Sequence, residues 1–358
     1  MVDALLDKKV IVCVGSGGVG KTTLSASLGV MAAQSGLKTL VMTIDPSRRL
    51  KSALGLSDTD FGVTKVPGQN YKGELYASLL NAEEIFKDFI KSSSSTEELA
   101  DALLKNRLYK QLSTTLSGSQ EFTSLLQLSK LVDQSDFDLV ILDTPPAQHA
   151  IDFLESPEKL NALFQDSVVK WFLGESDDVG FIRKIIAKST LTVLAALKKI
   201  TGSVFMEELN DFFRSVKGIQ EKISRKTLEV KQLLQRDSTT FLLVTAFDEA
   251  KLSEASRLKS YLAGQNYRLS GIVINRAHPQ WFKSGLSTDN MAIPEKVQQE
   301  FDSWLKFFEN RNSHYEDFIL KWGLGMPVMK LPELEIELTG LEPLEVMGNE
   351  IQKESTTH

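Results

Sequence analysis

A glycine-rich segment near the start of the chain constrains the fold more than any other feature. Residues 15–23 read GSGGVGKTT, and they follow the apolar run KVIVCV at residues 9–14. The pattern G-x-x-x-x-G-K-[ST] between a strand and a helix is typical of a phosphate-binding loop, because its glycines let consecutive backbone N–H groups approach an anion closely. The segment therefore predicts a strand, a phosphate-binding loop and a helix whose positive N-terminal end points at the same anion.

The side chains of this loop have separate predicted roles. Lys21 is expected to reach the β- and γ-phosphates of a nucleotide, and Thr22 is expected to hold Mg²⁺ through its hydroxyl. The remaining loop residues that we expect at the nucleotide are Gly15, Ser16, Gly17, Gly18, Val19, Gly20 and Thr23. The alternative is a flexible glycine linker, and the flanking strand and helix patterns argue against it. The sequence thus predicts binding of ATP or GTP, with Mg²⁺ as a cofactor.

The cysteine count and the charge limit the kinds of site that this chain can form. Its single cysteine, Cys13, excludes an internal disulfide and any metal site built from several thiolates of one chain. Because Cys13 lies within an apolar strand pattern, we expect a buried structural thiol rather than a reactive one. The net charge of −6 gives no electrostatic reason to expect a nucleic-acid partner.

Neither a membrane span nor a signal peptide is expected from the sequence. No stretch reaches the ~18 uninterrupted apolar residues that a transmembrane helix needs. The N-terminus carries Asp3 and Asp7 before its first apolar run, which is unlike a signal peptide. We therefore expect a cytoplasmic protein.

Short apolar runs alternate with helical patterns along much of the chain. This alternation predicts an α/β fold with a doubly wound, mostly parallel sheet. The strand candidates after the first run are residues 39–44, 75–79, 138–142, 240–245 and 271–275. Ligands of such sheets bind at the carboxyl ends of the strands. We therefore expect Gly15, Asp45, Asp143 and Asn275 to lie along one edge of the sheet.

Two long stretches depart from this alternation. Residues 83–130 and 153–236 read as helical, and both are too long to be single crossover connections. We interpret residues 1–358 as one P-loop ATPase domain with a helical subdomain formed by two insertions. The core is expected at about 1–82, 131–152 and 237–350, and the subdomain at about 83–130 and 153–236.

Three polar residues follow apolar runs and are candidates for the chemistry. Asp143 can hold Mg²⁺ directly or through water, and Asp45 can orient or deprotonate an attacking water. Asn275 can hydrogen-bond the edge of adenine. Each has a plainer alternative, because strand-end aspartates also cap or turn the chain and asparagine is common in turns. On the functional interpretation, these residues and the loop form one hydrolytic site.

The motifs of this chain resemble those of the arsenite-pump and tail-anchored-protein-targeting ATPases, which carry a deviant Walker A motif. The loop at 15–23, the segment TIDPS at 43–47 and the segment DTPPAQH at 143–149 are similar, in this order, to the P-loop, switch I and switch II of that family. Residues 273–276 resemble the family's adenine-reading segment, and residues 332–348 resemble its C-terminal loop near the base. The resemblance spans nearly the whole chain.

The resemblance implies a Mg²⁺-dependent ATPase that forms a homodimer, with two nucleotides facing each other across the interface. Asp45, which would position the attacking water, and Lys21 would be catalytic, while Asn275 and Arg276 would belong to the nucleotide site. The switch residues would be Asp45, Pro46, Ser47, Asp143, Thr144, Pro145, Pro146 and His149. Their order and disorder would report the γ-phosphate state to the helical subdomain.

Two functions remain open for such a protein. In the first, the nucleotide state controls a helical surface that binds a hydrophobic protein segment or a membrane-associated partner. In the second, the chain is a slow ATP-dependent regulatory switch that binds a soluble partner, without transport or membrane-protein clients. A basic amphipathic stretch at 181–206 can cover a groove, meet a membrane surface or pack on neighbouring helices.

The sequence departs from the family pattern at two points. Ser16 occupies the position of a signature lysine that reaches the partner subunit's phosphates, and a serine supplies no positive charge. Arg48 and Arg49 are candidates to compensate, and two solvated arginines at a helix start are the alternative. The chain also lacks the C-x-x-C pair that shares zinc across the dimer of eukaryotic targeting ATPases, so we expect no zinc and no arsenite binding. Both departures indicate a bacterial-type member.

Overall fold

The computed structural model of this chain describes residues 1–44, 49–57, 62–106, 119–134, 136–163, 208, 211–246, 248–279, 282, 294–323, 325–336 and 339–356. The chain divides into two units. The first comprises Met1–Leu80, Leu131–Ile151 and Leu234–His358, and the second comprises Asn81–Lys130 and Asp152–Leu233.

An eight-stranded sheet is the centre of the first unit, counted over the described ranges. Its strands are β1 (Val10–Gly15), β2 (Lys38–Thr43), β3 (Gly62–Lys65), β4 (Glu74–Leu79), β5 (Leu139–Asp143), β6 (Thr239–Thr245), β7 (Leu269–Ile274) and β8 (Val328–Lys330). They are ordered β3-β4-β2-β5-β1-β6-β7-β8, and every neighbouring pair is parallel except β3 with β4. The predicted α/β class, with a doubly wound and mostly parallel sheet, is confirmed.

The central strands are covered on both faces, and their sequences are accordingly almost continuous apolar runs. β1, β5 and β6 are buried at every position, with apolar runs such as VIVCVG and LVILD. Strands buried on both faces read as nearly continuous apolar runs, which is why the sequence predicts them. The sequence does not predict β3 and β8, which are only four and three residues long. Such short strands carry little periodic signal.

Helices precede, connect and follow these strands, and helices also form the second unit. They include α1 (Val2–Leu6), α2 (Lys21–Gln34), α3 (Arg49–Leu54), α4 (Ala82–Ser93), α5 (Glu97–Lys105), α6 (Ser119–Gln134), α7 (Ala147–Leu163), α8 (Gln220–Gln235), α9 (Glu249–Gly264), α10 (Glu295–Phe318) and α11 (Leu341–Thr356). A π-helical turn, Ile319–Gly323, follows α10. Helix α2 is buried over most of its length and packs against β2 and α11. The helix that begins at the glycine-rich loop is therefore firmly held.

The secondary-structure elements in the described part of the second unit are helices. Two of its helices begin with side-chain caps, because Asn81 accepts a hydrogen bond from the Glu84 N–H and Thr96 accepts one from the Leu99 N–H, each at 3.3 Å. Such caps satisfy backbone donors that a helix start leaves unpaired. No helix in the described part of the chain combines the length and apolar character that crossing a membrane requires.

Candidate nucleotide site

Two glycines of the loop lie where a side chain does not fit. Gly15 ends β1, and a Cβ there would lie 1.8 Å from the carbonyl oxygen of Val244 in β6. Gly20 precedes α2 with a φ of 88°, and a Cβ there would lie 2.4 Å from Nδ2 of Asn275. Glycine adopts such a positive φ without steric cost. The loop can therefore run close to both β6 and Asn275, which leaves its backbone as the lining of the site.

The ammonium group of Lys21 lies inside the loop. Its Nζ donates hydrogen bonds to the carbonyl oxygens of Gly15 at 2.9 Å and Ser16 at 2.8 Å, and the residue is only 7% exposed. Ser16 is buried as well, and its hydroxyl has no hydrogen-bond partner in the structure described. An anion that enters the loop would therefore meet the charge of Lys21.

Asp143 ends β5 beside two hydroxyl groups. Thr22 Oγ1 donates to Oδ2 of Asp143 at 2.6 Å, and Thr43 Oγ1 donates to the same oxygen at 3.2 Å. Thr22 lies in the first turn of α2, while the parallel register of β2 and β5 pairs Thr43 with Asp143. Asp143 is 1% exposed. One helix and two strand ends thus bring a carboxylate and two hydroxyls into one cluster, in which Asp143 and Thr43 are buried and Thr22 is partly buried.

This cluster has the donor chemistry of a Mg²⁺ site that a nucleotide completes. Mg²⁺ prefers oxygen ligands and usually binds through one or two carboxylates together with substrate phosphates and water. Over the described ranges, no group of three or more His, Cys, Asp or Glu side chains is placed to hold a metal without other ligands. Thr22 and Asp143 therefore carry oxygen donors that fit the predicted Mg²⁺, and the phosphates of a bound nucleotide would supply further ligands.

The segment that follows β5 contacts both β1 and the loop. Thr144 donates to the carbonyl oxygen of Cys13 through its Oγ1 at 2.8 Å and through its backbone N–H at 3.3 Å. A Cβ added to Gly17 would lie 3.4 Å from Cβ of Pro146, so the two residues are neighbours. His149 has an exposed side chain, and its backbone N–H donates to the Pro146 carbonyl at 2.8 Å. The predicted switch segment therefore borders the phosphate loop.

Asn275 follows β7 and contacts the end of the loop. Its Nδ2 donates to the carbonyl oxygen of Val19 at 2.8 Å, and its Oδ1 accepts from the Arg276 N–H at 3.0 Å. A cavity of about 260 Å³ beside it is lined by Gly20, Thr23, Asn275, Arg276, Pro332, Glu333, Leu334, Ile336 and Met347. Because the cavity adjoins the start of α2, a base bound in it would be close to phosphates held by the loop.

Cys13 is fully buried in β1, in register with Asp143 of β5. Burial raises the pKa of its thiol from 9.0 to about 12. The thiol is therefore protonated at neutral pH, and a protonated thiol is a poor nucleophile. The predicted burial of this cysteine is confirmed.

The structure brings together a large part of the predicted site, and it adds one residue. The described residues do not include Asp45, Pro46, Ser47 and Arg48. They also do not include the amphipathic stretch at 181–206. Arg49 is the first residue of α3, and Pro145 is partly buried. Thr43 begins the segment that resembles switch I, but the motifs assign no individual role to it; it lies next to the end of the predicted strand 39–44 and is the last residue of β2. Only the pairing of β2 with β5 places its hydroxyl at the Asp143 carboxylate.

Three features together define the class of P-loop nucleoside triphosphatases: a mostly parallel sheet, a glycine-rich loop with a buried lysine after a central strand, and a threonine–aspartate pair beside that loop. Within this class, the family model described as anion-transporting ATPase matches residues 8–353. The chain therefore belongs to the anion-transporting ATPase family, as the resemblance of its motifs predicts.

Individual relatives agree with this assignment over most of their length. "Putative arsenical pump-driving ATPase 1" of Aquifex aeolicus (strain VF5) is 26% identical over 358 residues, which cover 95% of this chain and 78% of the relative. "ATPase GET3B" of Arabidopsis thaliana is 24% identical over 95% of this chain and 77% of the relative. "ATPase get3" of Schizosaccharomyces pombe (strain 972 / ATCC 24843) is 27% identical over 95% of this chain and 89% of the relative. Like these relatives, the chain is an ATPase, which binds and hydrolyses ATP.

Proposed function

We propose that this chain is a Mg²⁺-dependent ATPase whose nucleotide state switches a homodimer and a helical surface that binds a client. The observation that carries the proposal is the 2.6 Å hydrogen bond between the Thr22 hydroxyl and the Asp143 carboxylate. It joins the phosphate loop to the strand end at which the switch segment begins. A change at the γ-phosphate can therefore reach that segment through a short chain of contacts.

The residues that the motifs single out have separate tasks in this proposal. Lys21 and the loop backbone bind the phosphates, and Thr22 with Asp143 holds Mg²⁺ directly or through water. When bound, Mg²⁺ would neutralise the charge that develops on the transferred phosphoryl group. Asp45 orients the attacking water, because a carboxylate can accept a proton from that water.

The cavity beside Asn275 supports ATP as the nucleotide. Asn275 and Arg276 line it together with residues of the 332–336 segment. We propose that the base lies in this cavity and that the Asn275 amide faces its edge. The amide nitrogen carries two N–H donors, so its hydrogen bond to Val19 does not exhaust it.

The path of the chain supports a signal from the switch segment to the helices. Helix α7 begins at Ala147, and its residues up to Ile151 belong to the first unit, whereas those from Asp152 onward belong to the second. We infer that the second unit is the helical subdomain and that α7 carries the nucleotide state to it. A rigid helix with two discrete positions is a common carrier of such coupling.

The proposed partners follow from family membership. We propose a homodimer, with a hydrophobic protein segment or a membrane-associated partner as the client, in the cytoplasm and without nucleic acid. Because Cys13 is the single cysteine, zinc cannot be held by thiolate pairs from each subunit. The dimer is therefore proposed to depend on protein packing and on contacts with the nucleotide.

A second candidate function rests on Ser16. Its hydroxyl is neutral and buried, so the loop lacks the positive charge that the signature lysine brings to a partner subunit. Such a charge can raise a hydrolysis rate by orders of magnitude. A slow ATP-dependent regulatory switch that binds a soluble partner is therefore the alternative.

Asp143→Asn tests the proposed metal site, with Asp138→Asn as the matched control just before the same strand. We expect Asp143→Asn to lower Mg²⁺-stimulated ATP hydrolysis by about a hundredfold or more, because a neutral amide binds Mg²⁺ poorly. Asp138 accepts a hydrogen bond from the Lys38 N–H at 2.7 Å, so its variant is expected to keep the stimulation. Mg²⁺ stimulation that survives in Asp143→Asn would contradict the proposal.

Sedimentation and peptide binding distinguish the two candidate functions. The protein is compared with ADP and with a non-hydrolysable ATP analogue, each with Mg²⁺. The proposed function predicts a dimer in the ATP-analogue state that binds a labelled apolar helical peptide but not a charged peptide of equal length. Absence of peptide binding in both states, together with slow turnover, would favour the regulatory switch.

A further inference from the structure

The end of β2 contributes a hydroxyl to Asp143 that has no role in the function proposed above. Thr43 Oγ1 donates to Oδ2 of Asp143 at 3.2 Å, and the backbone N–H of Ile44 donates to the Asp143 carbonyl oxygen at 3.4 Å. The parallel register pairs Thr43 with Asp143, and Thr43 is 2% exposed. The two strand ends are thus joined both by main chain and by side chain.

Both hydroxyl groups of the cluster converge on one carboxylate oxygen. Thr22 reaches Oδ2 of Asp143 from α2, and Thr43 reaches it from β2. Hydrogen bonds to a charged carboxylate are stronger than those between neutral groups, and they gain further strength where water is excluded. Two such bonds to Oδ2 restrict rotation of the carboxylate about its Cβ–Cγ bond. The direction of the other oxygen, Oδ1, is therefore set before a ligand binds.

We propose that Thr43 is a positioning residue that pre-orients Asp143 for Mg²⁺ and thereby sets the metal affinity of the nucleotide site. The inference rests on the metal role proposed for Asp143. Residues that hydrogen-bond a metal ligand commonly change the affinity of the site without touching the metal. Thr43 also precedes Asp45 by two positions in the sequence. One strand end would thus serve both the metal-binding and the water-orienting carboxylate.

Two substitutions separate the hydroxyl from the shape of the side chain. Thr43→Val removes the donor and keeps the branched shape that a buried strand accommodates, whereas Thr43→Ser keeps the donor. The readout is the affinity for a fluorescent ADP analogue, titrated with Mg²⁺ and measured separately in EDTA. Added Mg²⁺ is expected to increase the affinity for the analogue. We expect Thr43→Val to raise the Mg²⁺ concentration that gives half of this increase by about three- to tenfold, because the variant loses one hydrogen bond. Thr43→Ser is expected to stay close to wild type.

Thr39→Val is the matched control on the same strand. Thr39 is buried near the start of β2, and its hydroxyl donates to the Leu37 carbonyl at 3.4 Å rather than to the site. We expect its Mg²⁺ titration to match that of the wild type. Affinity in EDTA is expected to stay within about twofold in every variant, because phosphate binding by the loop does not need the metal ligand.

The outcomes distinguish failure of this inference from failure of the metal assignment. If Asp143→Asn weakens the response to Mg²⁺ but Thr43→Val leaves it unchanged, the role of Thr43 is refuted and the metal site stands. If Asp143→Asn also leaves the response unchanged, the proposed metal role fails first. If Thr39→Val changes the Mg²⁺ titration as much as Thr43→Val does, the change comes from altered packing of the sheet, and the inference is overturned.

Discussion

Replacing Gly20 with alanine measures how tightly the phosphate loop and Asn275 depend on each other. Gly20 has a φ of 88°, and a Cβ there would lie 2.4 Å from Nδ2 of Asn275. That nitrogen donates to the Val19 carbonyl at 2.8 Å. The methyl group must therefore displace the amide and break a buried hydrogen bond. Gly18 provides the matched control, since its φ is 74° and a Cβ there would meet nothing within 4 Å.

The two variants share one cost and differ in another. A left-handed backbone position costs an L-residue about 1–2 kcal/mol, and this cost applies to Gly18→Ala and Gly20→Ala alike. A buried polar group that loses its hydrogen bond costs about 1–3 kcal/mol more, and only Gly20→Ala incurs it. We therefore expect a free energy of unfolding lowered by about 1–2 kcal/mol for Gly18→Ala and about 2–5 kcal/mol for Gly20→Ala.

A double-mutant cycle with Asn275→Ala isolates the clash. In the double variant the displaced amide is absent, so its destabilisation is expected to be smaller than the sum of the single effects by about 1–3 kcal/mol. The assay is equilibrium urea unfolding without nucleotide, because a bound ligand would add its own stabilisation. Equal effects of Gly18→Ala and Gly20→Ala, or additive effects in the cycle, would refute the reasoning.

Three further predictions concern other parts of the fold. The Cys13 thiol, whose pKa burial raises to about 12, is expected to react with an alkylating reagent at pH 8 about a thousandfold more slowly in the native than in the urea-unfolded chain. The buried, protonated thiol contributes fully to the free energy of unfolding below pH 9, and this contribution is lost as the pH rises towards 12. Rapid labelling of the native chain, or a free energy of unfolding that does not change between pH 9 and 12, would contradict the assignment. Thr96→Ala, which removes a helix cap, is expected to cost about 1 kcal/mol and to speed hydrogen exchange at the Leu99 amide, whereas Thr96→Ser is expected to do neither. Thr144→Val removes the 2.8 Å hydrogen bond to Cys13 and is expected to lower the free energy of unfolding by about 1 kcal/mol, a loss that urea unfolding would detect.

Much of the site is predictable from the sequence because its parts are local. The glycine-rich loop, Lys21 and Thr22 lie within one short segment, so their spacing alone indicates how they meet a phosphate. Asp143 is recognisable because a strand buried on both faces reads as an apolar run, which makes the polar residue at its end conspicuous. Strands β3 and β8 lack such runs, and only their pairing with β4 and β7 reveals them.

Sequence patterns do not predict the contacts between segments that are far apart in the chain. Thr43 and Asp143 are separated by 100 positions, and Asn275 and Val19 by 256. A threonine at a strand end has no visible function until the strand order places β2 beside β5. The contact between Asn275 and Val19 likewise requires that Gly20 has no side chain. The sequence does not reveal this requirement, because it arises only where the fold places Asn275 beside Gly20.

The sequence by itself determined the class of fold, the phosphate loop and the family, because the spacing of residues within short motifs and the apolar runs of buried strands indicate each of them. The tertiary structure decided which strands are neighbours and in what register. That choice depends on how the whole sheet buries its apolar surface and cannot be read from any single segment. It is this choice that brings the hydroxyl groups of Thr22 and Thr43 to one oxygen of Asp143.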